Sequence, residues 1–212
     1  WACCISSGSR GMADDRKKVE TRNMCGAISS IAAKQIIEAS APCRIDMGGT
    51  VDIGAFHYPL RHLEPGTFNI ALNLRTRVVL GPHTPGRVKV SSAGFDSADF
   101  DLVEAPFDHP LGLMFSIAAF FRAEGVHIMI DSSSPPRSSL GGSSTAAVAL
   151  IAALSMAEAD ALGRKPLSRR DIALLAWRLE SSVAGVPCGL QDQLAAAYGG
   201  VHLWRWHAGQ HP

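Results

Sequence analysis

Ser132-Ser133-Ser134-Pro135-Pro136-Arg137-Ser138-Ser139-Leu140-Gly141-Gly142-Ser143-Ser144-Thr145-Ala146-Ala147 is the stretch on which the reading of this chain turns. A short apolar run, Val126 to Ile130, precedes it and reads as a strand. Thr145 to Leu162, rich in Ala and Leu, follows and reads as a long buried helix that stops at Gly163, before Pro166. A loop of small residues between a strand and a helix delivers unpaired N–H groups and a partial positive charge, which together suit an anion. Glycine lets backbone approach phosphate oxygens closely, and the hydroxyls of Ser143, Ser144 and Thr145 can donate to phosphate or ligate magnesium. The loop has no lysine and is not a Walker A motif. Taken alone, it also reads as a helix cap with a flexible surface loop.

Outward from the loop, strands and helices are mixed. Ile36 to Met47 is β-rich and runs into Gly48-Gly49, and Phe68 to Leu80 alternates as a long strand. Gly81 to Gly86 is a turn, and Arg87 to Ser92 reads as the hairpin partner of the long strand. Leu111 to Glu124 has helical spacing and ends at Gly125. Ser168 to Ser182 is a helix with Ser168 as its N-cap and Asp171 three residues on. Gln191 to Tyr198 is a short helix, and Gly199-Gly200 leads into a strand over Val201 to Trp206. Early hairpin-like pairs with helices later predict an α+β fold. His57-Tyr58-Pro59 reads as loop or as a substrate contact, and His202, Trp204, Trp206 and His207 as an alternating strand of the central sheet.

Bulk composition narrows the partners. The 212 residues are 47% hydrophobic and 18% charged, with a formal net charge of +1, so there is no electrostatic case for nucleic acid or a membrane surface. Cys3, Cys4, Cys25, Cys43 and Cys188 have no zinc spacing and read as reduced thiols of a cytoplasmic protein. The longest apolar helical stretch, Ala146 to Leu154, is expected to fall short of the ~20 residues of a membrane span. Residues 1–35 are expected to be an N-terminal extension, partly disordered or non-native, with the domain running over 36–212.

Two further segments stand in order with the loop. Upstream is Ala41-Pro42-Cys43-Arg44-Ile45-Asp46-Met47-Gly48-Gly49-Thr50-Val51-Asp52. Downstream, after Glu180, is Gly185-Val186-Pro187-Cys188-Gly189-Leu190-Gln191-Asp192-Gln193. By residue type alone, Arg44 reads as a surface ion pair or an anion contact, and Asp192 as a dipole-favoured helix N-terminus or a catalytic carboxylate.

The three segments together resemble the motifs of GHMP kinases, over Ala41 to Gly200. The loop resembles their Pro-x-Gly-x-Gly-Leu-Gly-Ser-Ser-Ala pattern, with Arg137 and Ser139 at two usual glycines. The upstream segment is similar to the Ala-Pro-x-Arg…Thr-Asp motif, and its Gly-Gly-Thr stands closer to the heptose 7-phosphate kinase branch than to galactokinase. The downstream segment is similar to the Pro-Cys-Gly-x-x-Asp-Gln of galactokinases. The resemblance implies an N-terminal domain like domain 2 of ribosomal protein S5, with a left-handed β-α-β unit, and a C-terminal domain that this chain is expected to lack. It implies Asp192 as catalytic carboxylate and Arg44 beside the transferred phosphoryl group. Residues Pro135, Pro136, Arg137, Ser138, Ser139, Leu140, Gly141, Gly142, Ser143, Ser144 and Thr145 would hold ATP. Ser143 and Glu180 would hold Mg2+, and Gly49, Thr50 and Asp52 would meet the substrate. Arg44 is expected to keep Asp192 ionised. The implied activity is phosphorylation of a heptose- or galactose-type sugar or sugar phosphate, with a homodimer left open. A non-catalytic sugar- and ATP-binding regulator and a mevalonate-type kinase are the competing readings.

Overall fold

The computed structural model describes residues 26–135 and 138–207. Pro136 and Arg137 therefore lie outside the described residues, as do Cys3, Cys4 and Cys25. Six strands are present among them: β1 (Ile37–Met47), β2 (Gly66–Pro82), β3 (Arg87–Ser92), β4 (Ala98–Asp101), β5 (Val126–Ser132) and β6 (Val201–Arg205). The helices are α1 (Ala27–Ala32), α2 (Gly54–His57), α3 (Gly112–Phe120), α4 (Gly142–Leu162), α5 (Arg169–Val183) and α6 (Gln191–Tyr198). This is the α+β architecture expected from the sequence. Helix α1 falls within the segment expected to be an extension, yet its Ile28 and Ala32 are buried in the main core.

The strands form one sheet in the order β1-β2-β5-β3-β4, and β6 pairs with the first half of β2. The expected β2–β3 hairpin does not form. β5 pairs antiparallel with β2 and parallel with β3, so it lies between them, and β3 makes its hairpin with β4 instead. The Pro/Gly turn is a crossover, and turn chemistry alone does not say which neighbour a strand takes. β3, α3 and β5 give the parallel β-α-β unit.

Alternation explains the core. Ile37, Leu80, Ile128 and Val90 are aligned across four strands and all buried, as are Val78 and Ile130 one pleat along. Paired residues share a face, so these rows make one apolar surface for the helices. Helix α4 lies against β1 and β2 and touches all the other helices except the short α2. At 21 residues it is longer than expected and, contrary to expectation, long and apolar enough to cross a membrane by length and composition. It serves as the core helix, with Ala147, Leu150, Ile151 and Leu154 fully buried.

One irregularity aims the functional side chains. Register shifts between Pro42 and Arg44. Before the shift Ile37 and Ala41 point inward; after it Ile45 and Met47 are exposed while Arg44 is buried. The alternation has slipped by one residue, as a bulge does, turning Arg44 and Asp46 toward the helix side. On β2 the same slip makes Thr67 and Asn69 inward-facing, where Thr76, Val78 and Leu80 were.

Candidate active site

Arg44 stands at the centre of the site. Its Nε donates to Asp192 Oδ1 at 2.8 Å and its second terminal nitrogen lies 2.7 Å from the same oxygen. The remaining terminal nitrogen donates to the Ser139 carbonyl at 2.8 Å and lies 3.1 Å from Asp46 Oδ1. The backbone closes the joint: Arg44 N donates to the Leu140 carbonyl at 3.2 Å. One guanidinium thus ties β1, the phosphate-type loop and α6 together, which suits its planar fork of donors.

Asp192 sits in the first turn of α6. Its carboxyl is nonetheless raised above its ordinary value: burial is the largest cause, Arg44 pulls the other way, and Asp52 and Glu180 push upward again. Arg44 acts in the direction expected of it, favouring the ionised carboxylate, but it is not the largest influence. Burial outweighs the ion pair, and a carboxylate tuned upward suits a general base.

The loop ends as an open helix N-terminus. Gly141, the N-cap, has φ 75° and makes no side-chain cap, which leaves the first amides of α4 without that partner. A Cβ on Gly141 would stand 3.5 Å from Asp192 Oδ2 and 3.6 Å from Arg44 Nε, which places this turn directly over the ion pair. Thr145 Oγ1 donates back to the Gly141 carbonyl at 2.8 Å, so it braces the turn rather than facing a ligand. Ser139, at a usual glycine position, has φ 58°. A non-glycine there stores about 1–2 kcal/mol of strain.

Ser143 and Glu180, the residues expected to hold Mg2+, stand together. Ser143 Oγ donates to Glu180 Oε1 at 3.0 Å, and Ser144 Oγ and Gln193 Nε2 donate to Glu180 Oε2 at 2.8 and 2.7 Å. Gln193, 2% exposed, was not singled out from the sequence although it stands one residue from Asp192. These are hard oxygen donors at an exposed helix start, which fits magnesium.

The residues expected to meet the substrate divide. Asp52 is buried, and its Oδ2 accepts from Gln191 N at 3.0 Å, so it caps α6 from across the chain. Burial raises its carboxyl, against the lowering effect of amides at Gln191, Asp52 and Leu190, and Asp46 adds to the rise. Gly189 makes that seat, since a Cβ there would fall 1.7 Å from Asp52 Oδ2. The Gly49 carbonyl accepts from Gln191 Nε2 at 3.0 Å, and the Thr50 carbonyl from Ile53 N at 3.1 Å. His57 stacks on Trp206 with ring centres 6.5 Å apart.

A cavity of about 850 Å³ opens above the ion pair. Arg44, Asp192, Pro135, Ser138, Ser139, Leu140, Gly141, Gly142 and Ser143 line its polar end. Phe95, Pro110, Leu111, Leu113 and Met114 line an apolar end that the sequence motifs do not mark. Only the fold brings the β3–β4 turn and the start of α3 beside the loop.

Residues 112–200 match the family model described as the GHMP kinases N terminal domain. No curated protein matches the chain by sequence. Among solved structures, a Campylobacter jejuni protein is 24% identical over 83% of this chain and 54% of its own, with a TM-score of 0.64. A D-glycero-D-manno-heptose 1-phosphate kinase from Bacteroides thetaiotaomicron is 20% identical over 80% and 55%, at 0.60. A Lactococcus lactis galactokinase complexed with galactose is 17% identical over 86% and 47%, at 0.60. The chain therefore spans about half the length of these structures. Residues 112–200 thus resemble the GHMP kinases N terminal domain, and the chain shares the fold of these structures.

Proposed function

We propose that this chain is the nucleotide-binding part of an ATP-dependent GHMP-type kinase that phosphorylates a hydroxyl of a sugar or sugar phosphate. The observation that carries this reading is the Arg44–Asp192 ion pair beneath the uncapped N-terminus of α4, at the polar end of the cavity. Amides and hydroxyls there suit the phosphates of ATP, and the apolar end suits its base. Ser143 and Glu180 would hold magnesium, which supplies charge neutralisation on the β- and γ-phosphates.

Phosphoryl transfer asks the protein mainly for position and charge. The acceptor oxygen attacks the γ-phosphorus, the bond from that phosphorus to the bridging oxygen breaks, and ADP departs with the electron pair. Asp192 takes the hydroxyl proton, which its raised carboxyl is suited to accept. Arg44 orients that carboxylate and offsets charge on the moving group. Asp52 acts here as a positioning residue, since its oxygen holds the start of α6.

Asp192→Asn in the full-length protein tests the reading. ATP-dependent phosphorylation across hexoses, heptoses and their phosphates should drop at least 10³-fold while nucleotide affinity stays within a few-fold. Undiminished turnover in that variant would remove Asp192 from the chemistry.

A further inference from the structure

Asn69 is 1% exposed, and neither its Nδ2 nor its Oδ1 has a hydrogen-bond partner among the described residues. A buried amide left unpaired on both sides is costly and calls for a reason. Its place supplies one. The register slip turns Asn69 inward, and it is aligned between Asp46 on β1 and His202 on β6. Asp46 in turn touches Arg44, which holds Asp192. Asn69 is thus one strand away from the ion pair proposed to do the chemistry.

More unpartnered atoms gather on this side of the sheet. Gln191 Oε1, His57 Nδ1 and Trp204 Nε1 are buried without partners. Gln191 neighbours Asp192 and bonds the Gly49 carbonyl, His57 stacks on Trp206, and Trp204 pairs in register with Thr67, two residues from Asn69. The set offers donors (Asn69 Nδ2, Trp204 Nε1) and acceptors (Asn69 Oδ1, Gln191 Oε1, and His57 Nδ1 in one tautomer). Among the described residues that line the adjoining cavity, Arg44 is the one basic residue, and Asp192, Asp46 and the Ser139 carbonyl already engage it. Neutral groups of both polarities, next to carboxylates and with no free cation among the described residues lining the cavity, match hydroxyls rather than a carboxylate or phosphate.

We infer that Asn69 is a specificity-determining residue, binding hydroxyls of an uncharged polyol end of the acceptor on the face of the sheet that it shares with Asp46 and His202. This rests on the kinase reading above and narrows its acceptor from anionic acids to neutral sugar groups. Gly48 and Gly49, with φ of 121° and 60°, are the joints at which the 48–57 segment meets β1.

The test compares the full-length wild type with Asn69→Leu, which keeps the volume and removes both polar atoms. Calorimetry with a non-hydrolysable ATP analogue measures binding of D-galactose, D-mannose, D-glycero-D-manno-heptose, their 1-phosphates and mevalonate. At least one neutral sugar should bind the wild type, and Asn69→Leu should weaken it about 10- to 100-fold with the analogue's affinity unchanged. Thermal unfolding of the ligand-free variant should be no lower than wild type, because an unpaired amide has been removed. Asn69→Ser, which keeps a donor and acceptor, should recover part of the affinity. Equal sugar binding by wild type and Asn69→Leu would overturn the assignment, as would binding confined to mevalonate. Phosphoryl transfer is scored separately: sugar binding lost in Asn69→Leu with no turnover in the wild type supports Asn69 and sinks the kinase reading.

Discussion

Replacing Arg44 by methionine keeps much of the side chain's length and removes its charge. Arg44 is the shared partner of Asp192 and Asp46, with side chains 26% and 22% exposed. Breaking a buried pair by removing one partner costs about 3–5 kcal/mol, chiefly because a charge is stranded. Partial exposure of both carboxylates places the expected loss near the lower end, about 3 kcal/mol at pH 7. Arg44→Met/Asp192→Asn strands less charge and should recover about 2 kcal/mol of it, a coupling well outside additivity. The pH dependence has a definite sign. Burial already raises the Asp192 carboxyl, and Arg44 is the group that lowers it, so the variant's carboxyl rises further. Above the ordinary value of 3.8, the folded variant then holds a proton that the unfolded chain has released. Unfolding free energy accordingly falls as pH rises through that interval, and the gap to wild type narrows toward acid. Urea denaturation followed by tryptophan fluorescence from pH 4.5 to 8 reads all of this. A loss that is constant across pH and additive in the double variant would refute the account of Arg44 as the charge partner of Asp192.

Gly189→Ala places a methyl group 1.7 Å from Asp52 Oδ2 and should push the carboxylate off Gln191 N. Losing that charge-assisted bond costs about 1.5–3 kcal/mol, roughly 4–10 °C in Tm for a domain of this size, so an unchanged melting curve would remove Asp52 as the cap of α6. Ser139→Gly relieves a left-handed residue at φ 58°. Relief of about 1–2 kcal/mol against about 0.5–1 for glycine's extra freedom predicts a net gain near 0.5–1 kcal/mol in urea, and a loss instead would mean that the Ser139 side chain has a role of its own.

Element identity was legible where one period ran long. Gln191–Tyr198 came out as expected, and Ser168 accepts from Asp171 N as its cap, because those signals are local. Neighbour relations were not. Arg87–Ser92 is a strand, but it prefers β5 and β4 to β2, and nothing within six residues encodes that choice. The site shows the same division. Motif order marks Arg44, Ser143, Glu180 and Asp192 as candidates, and the fold brings Arg44 to Asp192 and Ser143 to Glu180. Asn69 and the apolar end at Phe95 and Met114 carry no local mark, since each acquires meaning from a strand or helix distant in sequence.

The register slip near Pro42 links these gaps. Continued alternation along β1 would keep Ile45 and Met47 inward, as Ala41 is, and would send Arg44 and Asp46 to the opposite face. A sequence read as an unbroken strand therefore puts the guanidinium on the wrong side of the sheet. The slip reverses this for Arg44 and Asp46, and along the facing stretch of β2 for Thr67 and Asn69. Its cost is visible in apolar side chains turned outward, Ile45 at 44% and Met47 at 57% exposure. About 25 cal/mol is forgone for each Å² of apolar surface left in water, so such a strand is retained only where the inward polar set returns something else. What it returns is one face on which Arg44 reaches Asp192 and the loop before α4, while Asp46 and Asn69 stand beside them. The phosphate-type loop and the proposed acceptor side are thus coupled through a single irregular stretch of β1, and that coupling makes Arg44 the residue whose loss should disturb both.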